Sequence, residues 1–217
     1  MTFIEADPYP WPWDGDLSPT RLAVVVSGAQ HHWMERTVEP DLYLVAIKGI
    51  TSTLRDHGAS IVWVRHGQPP NGRNSIPVHG SKSWELVATP GPADHVVDAV
   101  GHDGCYGSRL EPLLRTNRRD RVLMCGLGLE GPVHSTLRTL NDQGYECLTV
   151  TDASAPYESA SGLNALSSIT FSFGIFGAIA PSRSVLAAFD PNTIDPTTID
   201  TAAIDTAAID TAMEEIS

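Results

Sequence analysis

Six runs of apolar residues, rich in β-branched side chains, alternate along the chain with amphipathic stretches, and this alternation narrows the possible folds most. RLAVVVS (21–27), SIVWVRH (60–66), HVVDAV (95–100), RVLMCG (121–126), ECLTVTD (146–152) and GIFGAIA (174–180) read as strands. Between them, residues 39–57 place Tyr43, Ile47, Ile50 and Leu54 on one helical stripe closed by Gly58. Residues 132–143 do the same with Val133, Leu137 and Leu140, closed by Gly144, and shorter helical patterns cover about 108–116, 159–171 and 182–189. Continuously apolar strands are covered on both faces, so the pattern predicts a three-layer α/β/α domain around a mainly parallel sheet. Ligands of such folds bind outside the carboxyl ends of the strands, which makes the residues just after each strand the ones to read.

At 217 residues the chain has room for one domain with a sizeable core. We read residues 1–189 as that domain and 190–217 as an acidic tail repeating I-D-T-A-A. The tail isoleucines (Ile194, Ile199, Ile204, Ile209) are five apart and form no helical stripe. The segment reads as disorder or loose helix, or else as a docking segment. The net charge is −12, and leaving out the seven tail acids brings the body to −5. That balance argues against nucleic-acid or anionic-membrane partners. No run of 18 apolar residues is present, and the first residues lack a signal-peptide pattern. Three cysteines at irregular spacing fit neither a disulfide framework nor a zinc site, so reduced thiols and a cytoplasmic location are expected. The Pro- and Gly-rich stretch 67–94 has no period and reads as a long surface excursion.

The stretch MCGLGLEGPVHSTLR (124–138) runs from a strand through a glycine-rich turn to a helix start, where many enzymes place a nucleophile; here the positions hold Gly131 and Pro132. GLGLEG is a weak match to a phosphate cradle, and nucleotide binding is rejected. FIEADPYPWPWDG (3–15), LAVVVSGAQ (22–30), VDAVGHDGCYGSRLE (97–111), CGLGLEGPVHSTLR (125–138) and NDQGYECLTVTDAS (141–154) together resemble the isochorismatase-like cysteine hydrolases, which have a flavodoxin-like fold. Within them the resemblance is closest to biuret hydrolases and related ureido amidohydrolases.

That family works with an aspartate after the first strand, a lysine closing the third and a cysteine at the start of the helix after the fourth. The carboxylate takes the thiol proton, the ammonium lowers the thiolate pKa, and backbone N–H groups at the helix start form the oxyanion hole. Carried over by motif, these places hold Gly28, Ala99 and Pro132, and no one-residue shift restores a triad. Pro132 is expected at the first helical position, where a missing N–H costs little. The resemblance therefore implies an oligomeric pseudoenzyme: a homodimer or homotetramer, or a subunit assembled with an active paralogue, able to bind a small amide or ureido molecule. The alternative is an amide or ureide hydrolase with rewired residues.

Candidate pocket residues are Gln30, His31, His102, Cys105, Glu130 and Gly131. Cys105 reads as a pocket-lining thiol or a substitute nucleophile. Glu130 reads as a helix-start charge partner or a general base. His31 and His32, with His66 or His102, read as solvent or ligand contacts, or as metal ligands without a recognised spacing. No cofactor and no metal are expected. The family's Gly-rich substrate loop after the first strand is replaced by the short HHWMERTVEP.

Overall fold

Strands whose side chains are apolar on both faces need helices on both faces, and the chain supplies them. The computed structural model describes residues 2–72 and 75–190; the repeat tail lies outside the described residues. Six parallel strands, β1 (Leu22–Ser27), β2 (Ser60–Gly67), β3 (His95–Val100), β4 (Arg121–Leu127), β5 (Glu146–Ala155) and β6 (Ala178–Ala180), lie in the order β3-β2-β1-β4-β5-β6. The order reverses between β1 and β4, the topological switch where such sheets bind ligands. Alternate side chains feed two cores. On one face, Val24, Val26, Leu123 and Leu148 meet Ile47, Ile50 and Leu54 of α2 (Pro40–Asp56) and Val185 of α6 (Ser182–Phe189). On the other, Ala23, Val25, Val62 and Met124 meet α3 (Leu110–Thr116), α4 (His134–Asp142) and α5 (Ser159–Gly174). A single helical turn, α1 (His31–Met34), follows β1.

The expected elements are present, with differences that have local causes. The last strand is confined to Ala178–Ala180, because Gly174 and Gly177 adopt φ of +88° and +127° and cannot continue an extended strand from 174. Strand β5 runs on to Ala155 through a register shift in which Met124–Gly126 of β4 stand opposite Thr149–Ser154 of β5. The extra β5 residues lead the chain to Tyr157 above the switch point. The stretch 67–94 is more than an excursion. It bridges back at Gln68–Val78 and Gln30–Leu86, and it buries Ile76. The N-terminal segment is strapped to the sheet, with Ile4 and Trp11 fully buried and Asp7 bridged to Ile179. Among the described residues no helix is long and apolar enough to cross a membrane.

Asp94 ties the end of the long connection to the sheet. Its side chain is 1% exposed and accepts from Arg55 Nε (2.8 Å) and Nη2 (2.7 Å), Trp63 Nε1 (2.8 Å) and the Gly91 N–H (2.8 Å). Burial pushes its pKa up, but the Arg55, Trp63 and Gly91 donors outweigh that and hold the carboxyl below its ordinary range. A depressed acid stabilises the fold above the unfolded-state pKa of about 4 and loses that stabilisation as pH falls through the lower folded value. Asp94→Ala, which strands a partly buried guanidinium and an indole N–H, should cost about 3 kcal/mol in urea unfolding at pH 7. The cost should shrink as the pH is taken below 4.

Candidate active site

The floor of the site is built where β1, β2 and β4 end. Gly28 follows β1 with φ +73°, and a Cβ placed on it would lie 2.7 Å from the Leu127 carbonyl oxygen and 3.1 Å from Pro132 Cγ. Two of the three motif positions therefore face each other, and the pyrrolidine ring fills the space between them. Ala99, fully buried on β3, is the register partner of His66 on β2. His66 Nε2 lies 2.8 Å from Ser27 Oγ, on the residue before Gly28, which ties Ala99 to the same corner.

Ser27 and His66 are both wholly buried. His66 Nδ1 lies 3.1 Å from the Gly101 carbonyl oxygen, which can only accept, so Nδ1 carries the hydrogen and Nε2 accepts from the Ser27 hydroxyl. Burial pushes the His66 pKa down to about 3, so the ring is neutral at physiological pH. Both ring nitrogens are occupied, and the edge of Trp33 sits over the ring with centroids 5.8 Å apart. The pair is a satisfied plug beneath the site.

Pro132 reshapes the helix start, and the expectation that it opens the α-helix needs correcting. An α-helical bond to the Gly128 carbonyl would come from residue 132, which has no N–H. The Val133 N–H reaches that carbonyl instead at 3.4 Å, one residue later, producing a π-helical turn over Leu129–Val133, and α4 begins at His134. The Gly131 N–H also goes to Gly128 O, at 3.0 Å. Of the three consecutive backbone positions 131–133, one has no hydrogen and the other two donate to the same internal carbonyl. Positions 131–133 therefore leave no pair of free donors of the kind that holds an oxyanion.

Above the floor lies a cavity of about 540 Å³. Its walls come from α1 and the turn after it (His32, Trp33, Arg36), the loop after β3 (His102), the π-turn (Glu130, Gly131) and the end of β5 (Tyr157). Glu130 accepts from the Tyr157 N–H at 2.9 Å and 3.2 Å through its two oxygens. Trp33 Nε1 donates to the Tyr157 hydroxyl at 2.9 Å, which leaves the phenolic hydrogen itself free to donate. A Cβ on Gly131 would lie 2.5 Å from Tyr157 Oη and 3.2 Å from His102 Nδ1, so both polar atoms overhang the glycine. His102 Nδ1 is buried with no partner among the described residues. Burial lowers the pKa of both His102 and His32, keeping the imidazoles neutral at pH 7.

Of the residues expected in the pocket, His102, Glu130 and Gly131 line the cavity, and three others do not. Gln30 is fully buried: its Nε2 donates to the His66 and Trp84 carbonyls (3.1 and 2.7 Å) and its Oε1 accepts the His66 N–H (2.7 Å). That amide is a brace between β2 and the long connection. His31 is exposed, while its neighbour His32 turns inward to the Ser75 carbonyl at 2.8 Å. Cys105 packs against the α3–α5 core, and burial with nearby Asp103 and Glu111 pushes its thiol up to about 12, the opposite of an activated nucleophile. His32, His66 and His102 each set a ring against Trp33, with centroids 4.8, 5.8 and 6.5 Å away, and among the described residues no group of three His, Cys, Asp or Glu side chains could hold a metal. Trp33, Arg36 and Tyr157 were missed. The one available signal was a Trp beside paired histidines immediately after a strand.

The buried imidazole makes a pH prediction. His66 is neutral when folded and titrates near 6.5 when unfolded, so it stabilises the protein fully above about 6.5, and the stabilisation falls as pH drops toward 3. His66→Gln should flatten the pH dependence of the melting temperature between pH 6.5 and 4. An unchanged slope would mean that the ring is open to solvent.

The arrangement matches known proteins. The Isochorismatase domain family matches residues 23–180. A streptothricin hydrolase of Streptomyces noursei is 29% identical over 135 residues, covering 61% of this chain and 46% of that protein. The chain thus spans about half the length of the curated relatives it matches. A cysteine hydrolase from Pseudomonas syringae pv. phaseolicola 1448A has a similar structure, with TM-score 0.73 and 17% identity over 87% of this chain and 97% of that one. N-carbamoylsarcosine amidase from Thermoplasma acidophilum aligns with TM-score 0.64 and 22% identity over 75% of this chain and 96% of its own. With the family covering well over half of its length, the chain belongs to the isochorismatase family.

Proposed function

We propose that this chain is a non-hydrolytic member of its family. In this reading it binds a small amide or ureido compound at the carboxyl end of its sheet, as a homo-oligomer or beside an active paralogue. The observation that carries the reading is the contact between positions 28 and 132: the Cβ place of Gly28 is 3.1 Å from a proline ring carbon. Acyl transfer needs a nucleophile and a base at that contact, and hydrocarbon occupies it. The engaged Gly131 and Val133 N–H groups and the high Cys105 thiol pKa point the same way.

The cavity above retains what amide recognition requires. An amide or urea presents a carbonyl acceptor beside N–H donors. The Tyr157 hydroxyl has a hydrogen to give, and the Glu130 carboxylate can accept. Trp33 adds an aromatic wall. The names of two similar proteins, a hydrolase and an amidase, suit ligands of this type. A second reading, hydrolysis by rewired residues, draws on one observation: Glu130 and His102 line the same cavity beside Gly131.

The purified protein should release no ammonia from biuret, allophanate or N-carbamoyl amino acids above a buffer control. At least one of these compounds should raise its melting temperature with saturation. Gly131→Ala, whose methyl would crowd Tyr157 Oη, should weaken that binding at least tenfold, about 1.4 kcal/mol. Ammonia release that Glu130→Gln abolishes would replace this reading with the second.

A further inference from the structure

The opposite edge of the sheet carries a feature that the cavity does not involve. The stretch RTNRRDR (115–121) concentrates four of the chain's 14 Lys and Arg residues in seven positions of a protein with net charge −12. It links α3 to β4 at the amino edge, and three of its arginines, Arg115, Arg118 and Arg119, line a cleft of about 270 Å³ with Asp120, Gln143, Gly144 and Tyr145.

The nearby negative charges are already engaged. Asp120 accepts from Arg21 Nε at 2.9 Å and lies 3.8 Å from Arg121 Nη1. Glu111 accepts from Arg115 Nε at 2.7 Å and also from its Nη2, so of that guanidinium only Nη1 is left open. Arg119 Nη1 donates to the Pro19 carbonyl at 2.7 Å, but its Nε is buried with no acceptor. The Arg118 side chain has no hydrogen bond or ion pair with any described residue, and its backbone stands in the left-handed region at φ +54°. The ends of α3 and α4 also face this edge, and their free carbonyls would repel an anion. They are capped. The carbonyls of Leu113, Leu114 and Arg115 accept from Asn117, Arg119 and Arg118, and those of Thr139, Leu140 and Asn141 accept from Gln143, Tyr145 and Gly144. The cleft therefore keeps a net positive charge at its wall.

We propose that this cleft is a binding site for a small tetrahedral oxyanion, a phosphate group, held by the Arg118 fork with the open Nη1 of Arg115 and the Gln143 amide as further donors. Guanidinium forks match phosphate oxygens in geometry as well as charge. The cleft lies below the ~300–1,000 Å³ of pockets that enclose organic ligands, which suits free phosphate or a small phosphate monoester. A Cβ on Gly144 meets nothing within 4 Å, so the wall at that point is open.

The test is calorimetric titration of the full-length protein with inorganic phosphate and with glycerol phosphate, at constant ionic strength set with chloride, and with acetate as a planar control. Saturable binding of one or both phosphates is expected, with the tighter one naming the source. Arg118→Asn, which tolerates the left-handed backbone, should lower the affinity at least tenfold, as should Arg115→Gln; circular dichroism checks their folding. No saturable heat with either phosphate, equal binding of acetate, or unchanged affinity in both variants would overturn the assignment.

Discussion

Proline 132 cannot offer an N–H to the carbonyl of Gly128, and the strand-to-helix junction is arranged around that deficit. The donor one residue later takes the carbonyl, the turn widens to π geometry, and the α-helix starts at His134. The same ring packs against the Cβ place of Gly28. One ring thus withholds a backbone donor and fills the space beside Gly28. Gly28 answers it from the other side: its left-handed backbone and the nearby Leu127 carbonyl leave no room for a side chain there without strain.

Floor and cavity differ in how completely their polar groups are satisfied. On the floor, Ser27, His66, Gly101 and Gln30 satisfy one another, and His66 is kept neutral. Such a network is rigid, and each member would be costly to unpair. Around the cavity, the Tyr157 hydrogen and the buried His102 Nδ1 lack partners among the described residues. Buried polar groups left without partners are uncommon outside binding sites and call for an explanation. This contrast between a satisfied floor and a less satisfied cavity is what the proposed binding role rests on.

Much of this was legible in the sequence because the physics behind it is local. Apolar runs such as LAVVVS can only be strands buried on both faces, and motif order placed Gly28, Ala99 and Pro132. What escaped depended on packing across the sheet. Tyr157 reaches the cavity only because β5 gains residues against β4 between Met124 and Gly126, which no local pattern announces. Gln30 was misassigned because an amide after a strand reads as a ligand contact until the carbonyls that flank it are known. Pro132 was expected to open the helix; that expectation overlooked a helical turn already formed by Leu129–Val133. The Ser27–His66 pair was within reach of inference, since both side chains close neighbouring strands on the same face.

The central claim is that the site binds without turning over, and a single-turnover experiment addresses it directly. A ureido compound labelled with carbon-13 at its carbonyl, incubated with a molar excess of the protein, can be followed by NMR for days. The account predicts a shifted or broadened carbonyl resonance whose total intensity stays constant. A new carbonyl signal growing toward one equivalent, with the ureido signal falling in step, would contradict it.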